Sequence, residues 1–255
     1  LAECVYSAKF IAQGQADRLT DVVCEFVSEA QAEKIRHDAF LTDRVKTTNK
    51  SVLNSISVIN EAMSEKIDGQ PHAPEQISFH YLGYTINGIT LQQKERHNGE
   101  LYVVSPFKLI INDGNYYLMA YDAKSQIIKN YRVDRMKDVK RTGKPIEGKE
   151  VFAEIDIESY TRRVFSMFGG SDEFITIRFS NGLLDTVVDR FGTHGITYRK
   201  IDKEHFAVST HVEISNQFFS WVCGFGAEAE IISPPSAIEA FKKFLESIQN
   251  LYKSC

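Results

Sequence analysis

Between residues 129 and 141, six basic side chains (Lys129, Arg132, Arg135, Lys137, Lys140 and Arg141) stand against two carboxylates, Asp134 and Asp138. A guanidinium is planar and donates two parallel hydrogen bonds, a geometry that fits the oxygens of a phosphate. Arg132 and Arg135 are therefore the first candidates for a clamp on an anionic ligand. On a strand, Arg132 shares a face with Asp134, while Tyr131 and Val133 share the other. The competing reading is an Arg132–Asp134 pair that closes the fold and holds nothing. Arg135 comes where the strand gives way to a turn or short helix, and the remaining lysines read as a solvated face.

Aromatic residues crowd the same region. Seven of the eleven tyrosines lie between positions 81 and 131 (Tyr81, Tyr84, Tyr102, Tyr116, Tyr117, Tyr121, Tyr131). A base stacked on an aromatic ring gains about 1–3 kcal/mol in single-strand binders. Tyrosine is also simply a good strand residue, so most of the seven belong to a core; Tyr81 and Tyr116 are the candidates for ligand contact. Ser105 precedes Pro106, which restricts it to extended backbone and leaves its hydroxyl available to a phosphate oxygen or to a strand edge. His80 alternates away from Phe79 and Tyr81, and it and Lys108 are candidates of the same kind, against the plainer reading of surface residues.

Catalysis is not expected. The chain has no nucleophile elbow, no HExxH and no Walker loop. Gly169-Gly170 and Gly224-Phe225-Gly226 lack the strand–GxGxxG–helix setting of a dinucleotide site. Four cysteines, at positions 4, 24, 223 and 255, show neither disulfide-framework nor metal spacing, and Cys223 reads as packing. No metal or other cofactor is expected, no run approaches the roughly 20 apolar residues of a membrane span, and no signal peptide is visible. A reducing, cytoplasmic location follows. The net charge of −4 is uneven: residues 74–142 carry 10 basic and 7 acidic side chains, whereas both flanks are acidic. An anionic ligand is thus placed in the middle of the chain.

The elements that must position these residues follow from periodicity. Residues 1–68 read as helical, with an apolar stripe of Leu19, Val22, Val23, Phe26, Val27 and Ala30 over about 15–37. A further helix starts near Thr48 or Asn49 and carries Val52, Ile56, Ile59, Met63 and Ile67. Asp68-Gly69-Gln70-Pro71 closes it. From 75 to 142 the period falls to two. Strands are expected at Ile77–Tyr81, Tyr102–Ile111, Tyr116–Tyr121 and Ile127–Val133, with a tight turn at Asp113-Gly114. Short antiparallel strands joined in this way point to a small barrel. After a connector with a short helix near 157–168 come strands 173–179, 195–201, 205–212 and 229–232. Helices 183–191 and 216–225 interleave with them, and a last helix covers 236–251. That order is a ferredoxin-like α+β unit with an extra helix.

Tyr116-Tyr117-Leu118, the preceding Val104-Ser105-Pro106-Phe107-Lys108-Leu109, and Tyr131-Arg132-Val133-Asp134-Arg135-Met136 together resemble the WYL domain, whose name-giving tryptophan is Tyr116 here. Asp43-Arg44-Val45-Lys46 and the C-terminal extension are similar to those of bacterial WYL transcriptional regulators. The resemblance implies an α+β protein: a helical linker and dimerisation segment (1–73), an Sm- or SH3-like barrel (74–142), a connector (143–170) and a ferredoxin-like extension (171–255). It further implies a homodimer that senses an anionic small molecule, nucleotide or single-stranded nucleic acid, and the residues above that could meet such a ligand are Arg132, Arg135, Ser105, Tyr81, Tyr116, His80 and Lys108. Operator DNA would be read by an upstream winged helix-turn-helix, and the uncapped start at Leu1 leads us to expect that such a head precedes this chain. Little affinity of this segment for duplex operator is expected, since it is acidic overall. The alternative is a structural dimerisation module with no ligand.

Overall fold

The computed structural model describes residues 1–38, 45–165, 167 and 170–253. Contacts divide the chain into two units, Leu1–Glu154 and Ile155–Cys255, each with its own core. Asp43, Arg44, Phe168, Gly169 and Cys255 lie outside the described residues.

The first unit opens with helices α1 (Ala2–Ser7), α2 (Gln13–Cys24), α3 (Glu29–Asp38) and α4 (Val52–Met63). The single helix expected over 15–37 is broken between α2 and α3. Ser28 starts α3 afresh: its backbone N–H and its hydroxyl both donate to Gln31 Oε1, at 3.3 and 3.2 Å, as in one half of a capping box. The break also turns the expected stripe outward. The buried residues are the small Ala16, Thr20, Cys24 and Ala32, while Leu19, Val22, Phe26 and Val27 are exposed. Helix α4 stops at Met63, four residues short of Ile67. Ile67 belongs instead to a two-residue strand β1 (Lys66–Ile67), paired with β2 (Gln70–Pro71) around Asp68 and Gly69, both at positive φ.

Six antiparallel strands follow: β3 (Glu75–Asn87), β4 (Thr90–Glu95), β5 (Leu101–Asn112), β6 (Asn115–Asp122), β7 (Ile127–Arg132) and β8 (Met136–Pro145). Their order is β4-β3-β5-β6-β7, and β8 pairs along the first half of β3 while β4 pairs along its second half. The sheet curls into a half-barrel of the Sm or SH3 kind. Ile77, Phe79, Val104, Leu118, Tyr131, Val133 and Met136 fill it, and Val52, Ile59 and Ala62 of α4 close it. Asp113 and Gly114, at φ 47° and 71°, make the tight β5–β6 turn that Asp-Gly favours. A 3-10 turn, Val133–Arg135, joins β7 to β8, and a short helix α5 (Lys149–Ala153) ends the unit.

The second unit begins with α6 (Ile157–Arg163), shorter than expected. Then come β9 (Ser171–Ser180), α7 (Leu184–Phe191), β10 (Thr197–Lys200), β11 (His205–Ile214), α8 (Asn216–Cys223), β12 (Ala229–Ser233) and α9 (Pro235–Tyr252). The all-antiparallel order β10-β11-β9-β12 is ferredoxin-like. Alternation puts Ile175, Ile177 and Phe179 of β9 on the helix side, where they meet Val208 of β11 and Phe218 and Val222 of α8. Among the described residues, no helix is long and apolar enough to cross a membrane.

Candidate ligand-binding site

Strand β7 delivers Tyr131 into the core and Arg132 to the rim, and the 3-10 turn then presents Arg135. The two arginines meet different fates. Arg132 is captured from within: Nε donates to Asp134 Oδ1 at 3.0 Å, Nη2 to Asp134 Oδ2 at 2.9 Å, and Nη2 also to Asn115 Oδ1 at 2.7 Å. Burial pulls its pKa down, but Asp134 outweighs burial and keeps the guanidinium firmly charged. Its backbone N–H donates to the Tyr81 hydroxyl at 3.0 Å. Arg132's guanidinium is thus held by Asp134 and Asn115, through the Asp134 pairing that its i, i+2 spacing allowed, and the two arginines are not brought together as a pair of free cations.

Arg135 is half-buried and, among the described residues, makes no hydrogen bond or ion pair. Its charge reaches the hydroxyls of Tyr81 and Tyr117. A second guanidinium lies at the same tyrosine. Arg96, in the turn after β4, sits 5.5 Å from the centroid of the Tyr81 ring and likewise has no hydrogen-bond or ion-pair partner among the described residues. It approaches because Gly83 has no side chain, since a Cβ there would stand 2.9 Å from Arg96 Nε. The Tyr81 phenol is buried. Burial raises the Tyr81 pKa and outweighs the lowering by Arg132 N–H, Arg135 and Arg96. Tyr81 therefore stays protonated at neutral pH. Its oxygen accepts from Arg132, so its own proton remains to be donated. Beside it lies Tyr102, 5.8 Å away and stacked on Phe79 at 5.4 Å. The assembled chemistry is two cations, one phenolic donor and an aromatic floor.

Other expected residues are placed elsewhere. Ser105 is 1% exposed and its hydroxyl accepts Glu147 N–H at 2.9 Å, which places it inside the fold and away from the rim. Tyr116 packs edge-on against Phe10, centroids 4.5 Å apart. His80 points to the opposite face of β3 from Tyr81, its Nδ1 3.7 Å from Glu95 Oε2. Lys108 is exposed on β5 without an ion pair among the described residues. Within the basic run, Lys129 pairs with Asp122, Lys137 with Glu95 at 2.9 Å and Arg141 with Glu75 at 3.5 Å.

Sequence reasoning missed Arg96, which lies in an exposed turn with no periodic signal, and two asparagines. Asn115 holds Arg132 from the β5–β6 turn. Asn49 Nδ2 donates to the carbonyls of Asp134 and Met136, at 3.0 and 2.9 Å, and so brackets Arg135 from both sides. Asn49 Oδ1 accepts Ser51 N–H at 2.9 Å at the start of α4. The β5–β6 turn is tied to the N-terminal helices as well. Gly114 C=O accepts Lys9 N–H at 2.8 Å, Lys9 Nζ meets Asp113 at 2.8 Å, and Lys9 C=O accepts Thr47 N–H at 2.9 Å.

With this geometry established, the chain can be set against known proteins. The WYL domain family matches residues 88–141, and the WCX domain family matches residues 171–248. No curated protein matches the chain. Among solved structures, the proteasome accessory factor B/C (PafBC) of Arthrobacter aurescens is similar at 14% identity and a TM-score of 0.33, over 82% of this chain and 29% of that one. A CRISPR Cas-related protein is similar at 13% identity and a TM-score of 0.45, over 85% of this chain and 56% of that one. The chain thus spans less than two thirds of either.

Proposed function

The chain belongs to the WYL-domain family and carries a WCX domain behind it, and from that premise we propose that it is the ligand-sensing part of a bacterial transcriptional regulator. The ligand is anionic, a nucleotide or single-stranded nucleic acid, and it binds at Arg135, Arg96 and Tyr81. One observation carries this reading: two guanidiniums that have no carboxylate partner among the described residues, Arg96 at 5.5 Å from the Tyr81 ring and Arg135 close enough for its charge to act on it, serve a buried, protonated phenol beside an aromatic floor. Phosphate oxygens take the guanidinium and phenol donors, and a base takes the face of Tyr102. Arg132 holds Tyr81 and the 3-10 turn in place and does not touch the ligand. The activity is binding, with no bond made or broken, and neither metal nor cofactor takes part. The regulator works as a homodimer in the cytoplasm, and an upstream head reads operator DNA.

Signal passes by the contacts that leave the site. Asn49 ties the Arg135 turn to α4, and the Asp113–Asn115 turn ties Arg132 to Lys9. A ligand that prefers one arrangement of this turn shifts the helical segment with it.

Fluorescence anisotropy with a short 5′-labelled single-stranded oligonucleotide tests the reading, with nucleoside phosphates as competitors. Binding should weaken as salt rises. Arg135→Gln or Arg96→Gln should cost roughly tenfold or more, because a hydrogen bond to a charged group contributes about 1.5–3 kcal/mol. Lys108→Gln should leave binding unchanged. Absence of binding, or arginine variants equal to wild type, would refute it. A second reading, a structural module with no ligand, draws on the capture of Arg132 by Asp134. It expects exactly that absence of binding together with an intact homodimer.

A further inference from the structure

We propose that the site takes a phosphate monoester, the end group of a free mononucleotide or of a phosphorylated strand terminus, in preference to a phosphodiester inside a strand, and that the one base attached to it enters a pocket beside Tyr102. The inference rests on the reading above and narrows its ligand to a single terminal nucleotide.

Charge is the first argument. Asp134 is matched by Arg132 at 2.9 Å, and Glu95 is matched by Lys137 at 2.9 Å. Neither carboxylate is left to compensate Arg96 or Arg135, which make no ion pair among the described residues. Arg96 lies 5.5 Å from the centroid of the Tyr81 ring, and the charge of Arg135 acts on the same phenol. An internal phosphodiester carries one negative charge and leaves one of the two cations unanswered. A phosphate monoester carries about −1.5 to −2 at neutral pH and presents three terminal oxygens. Three donor groups are available to them, the two guanidiniums and the hydroxyl of Tyr81, which burial keeps protonated.

Shape is the second argument. A pocket of about 250 Å³ opens along Tyr102, with His97, Val103, Val104, Asp122 and Lys129 among its walls. His97 follows Arg96 directly in the chain, and its ring centroid is 6.1 Å from that of Tyr102. The pocket therefore adjoins the cations. Its own ionised groups answer one another, Glu100 paired with Lys124 and Asp122 with Lys129. The pocket is thus balanced in charge and offers the phosphate nothing that Arg96 and Arg135 do not offer better. A neutral heterocycle with donors and acceptors along its edge suits it. Pockets for drug-sized ligands run from about 300 Å³ upward, so this one has room for one base and not for a stacked pair. An internal nucleotide must lead its strand out past the site at both ends, whereas a terminal one needs a single exit.

Fluorescence anisotropy tests the proposal with the 255-residue chain and one 3′-labelled single strand that ends in a 5′-hydroxyl, a 5′-phosphate or a 5′-methylphosphate. The methyl ester removes a charge and changes the size of the group little. The 5′-phosphate strand should bind tighter than the other two by roughly tenfold or more, the scale of one hydrogen bond to a charged group. Nucleoside 5′-monophosphates should displace it, and inorganic phosphate at the same concentration should not, because it leaves the pocket empty. Arg96→Gln should remove most of the advantage of phosphate over methylphosphate. Val103→Trp fills the pocket from a strand position that is 39% exposed, and it should take most of their potency from the monophosphates. Equal binding of the three strands, or inorganic phosphate as potent as the monophosphates, would overturn this inference and leave the anion site standing. An undiminished advantage in Arg96→Gln would overturn the placement of the phosphate. No binding by any of the three strands would overturn the site itself.

Discussion

Arg132 and Arg135 are one helical step apart and differ in what surrounds them. Arg132 satisfies a buried carboxylate, Asp134, which is 9% exposed at its side chain, and removing the guanidinium leaves that charge without its partner. Loss of one member of a buried pair costs about 3–5 kcal/mol, and the partial exposure of Arg132 reduces this to roughly 1–3 kcal/mol. Arg132→Gln should therefore lower the melting temperature by several degrees, and adding Asp134→Asn should recover part of the loss. Arg135→Gln should leave the melting temperature within about a degree of wild type, since that guanidinium has no hydrogen-bond or ion-pair partner among the described residues, and its whole effect should fall on ligand affinity. Differential scanning fluorimetry beside the anisotropy titration separates the two. If Arg135→Gln proved the more destabilising of the pair, the division of labour between them would be wrong.

At the scale of elements, turns control the half-barrel. The β6–β7 turn is organised by Asp122, which accepts from Lys124 N–H at 3.1 Å, from the Ser125 hydroxyl at 2.9 Å and from Lys129. Burial pushes the Asp122 pKa up, but these donors outweigh burial and hold it below its ordinary 3.8. A carboxylate whose pKa is lower folded than unfolded contributes stability above its unfolded value and loses it as pH falls through the folded one. Asp122→Asn should therefore cost stability at pH 7, and the gap between mutant and wild type should close as pH drops below about 4. Urea titrations at pH 7 and pH 3 measure this, and a gap of equal size at both would remove the electrostatic account. At the start of α5, Gly148 has φ 75°, and a Cβ would meet the Tyr121 ring at 2.3 Å. Gly148→Ala should cost about 3 kcal/mol, combining left-handed strain with overpacking, read as a shift in the urea midpoint. The same scale explains what the sequence disclosed. The ferredoxin-like half was legible to within a residue or two at most boundaries, because β9 alternates and Gly or Pro punctuates its helices. Strands β4 and β8 were missed: β4 is exposed nearly throughout, and β8 buries only Met136 and Val139, so neither alternates. The Asn87-Gly88 turn signal and the Ser28–Gln31 capping box were both available, and each would have corrected a boundary. Of the site proposed here, the sequence named Arg135 and Tyr81, both on segments whose strand pattern was plain. Arg96 reaches Tyr81 through tertiary packing over Gly83, which leaves no periodic trace.

For the whole molecule, a sensor must do more than bind, because occupancy at the barrel has to change the helical segment that precedes it. Ligand contacts alone cannot do this unless some rigid link joins the two, and the link with the shortest path is Asn49. Its amide holds the carbonyls on either side of Arg135, its oxygen holds the start of α4, and its N–H bonds Thr47 Oγ1 at 3.1 Å. Thr47 in turn donates to Lys9, which grips the β5–β6 turn that fixes Arg132. The two routes close a loop around the site, so a displacement of the 3-10 turn is imposed on residues 47–52 and on Lys9 together. Coupling of this kind is worth typically 1–3 kcal/mol, enough to change exchange of backbone hydrogens by about 5- to 150-fold where opening is local. In wild type, an oligonucleotide that binds at Arg135 should slow hydrogen exchange in the first turn of α4 and in residues 9–12. In Asn49→Ala the barrel should still bind, within several-fold, because no ligand contact is removed. The protection at α4 should disappear and that at β7 and the 3-10 turn should remain. Hydrogen exchange read by mass spectrometry gives both in one experiment. Undiminished protection of α4 in the variant would mean that the signal leaves the barrel through its packed core and not through this side chain.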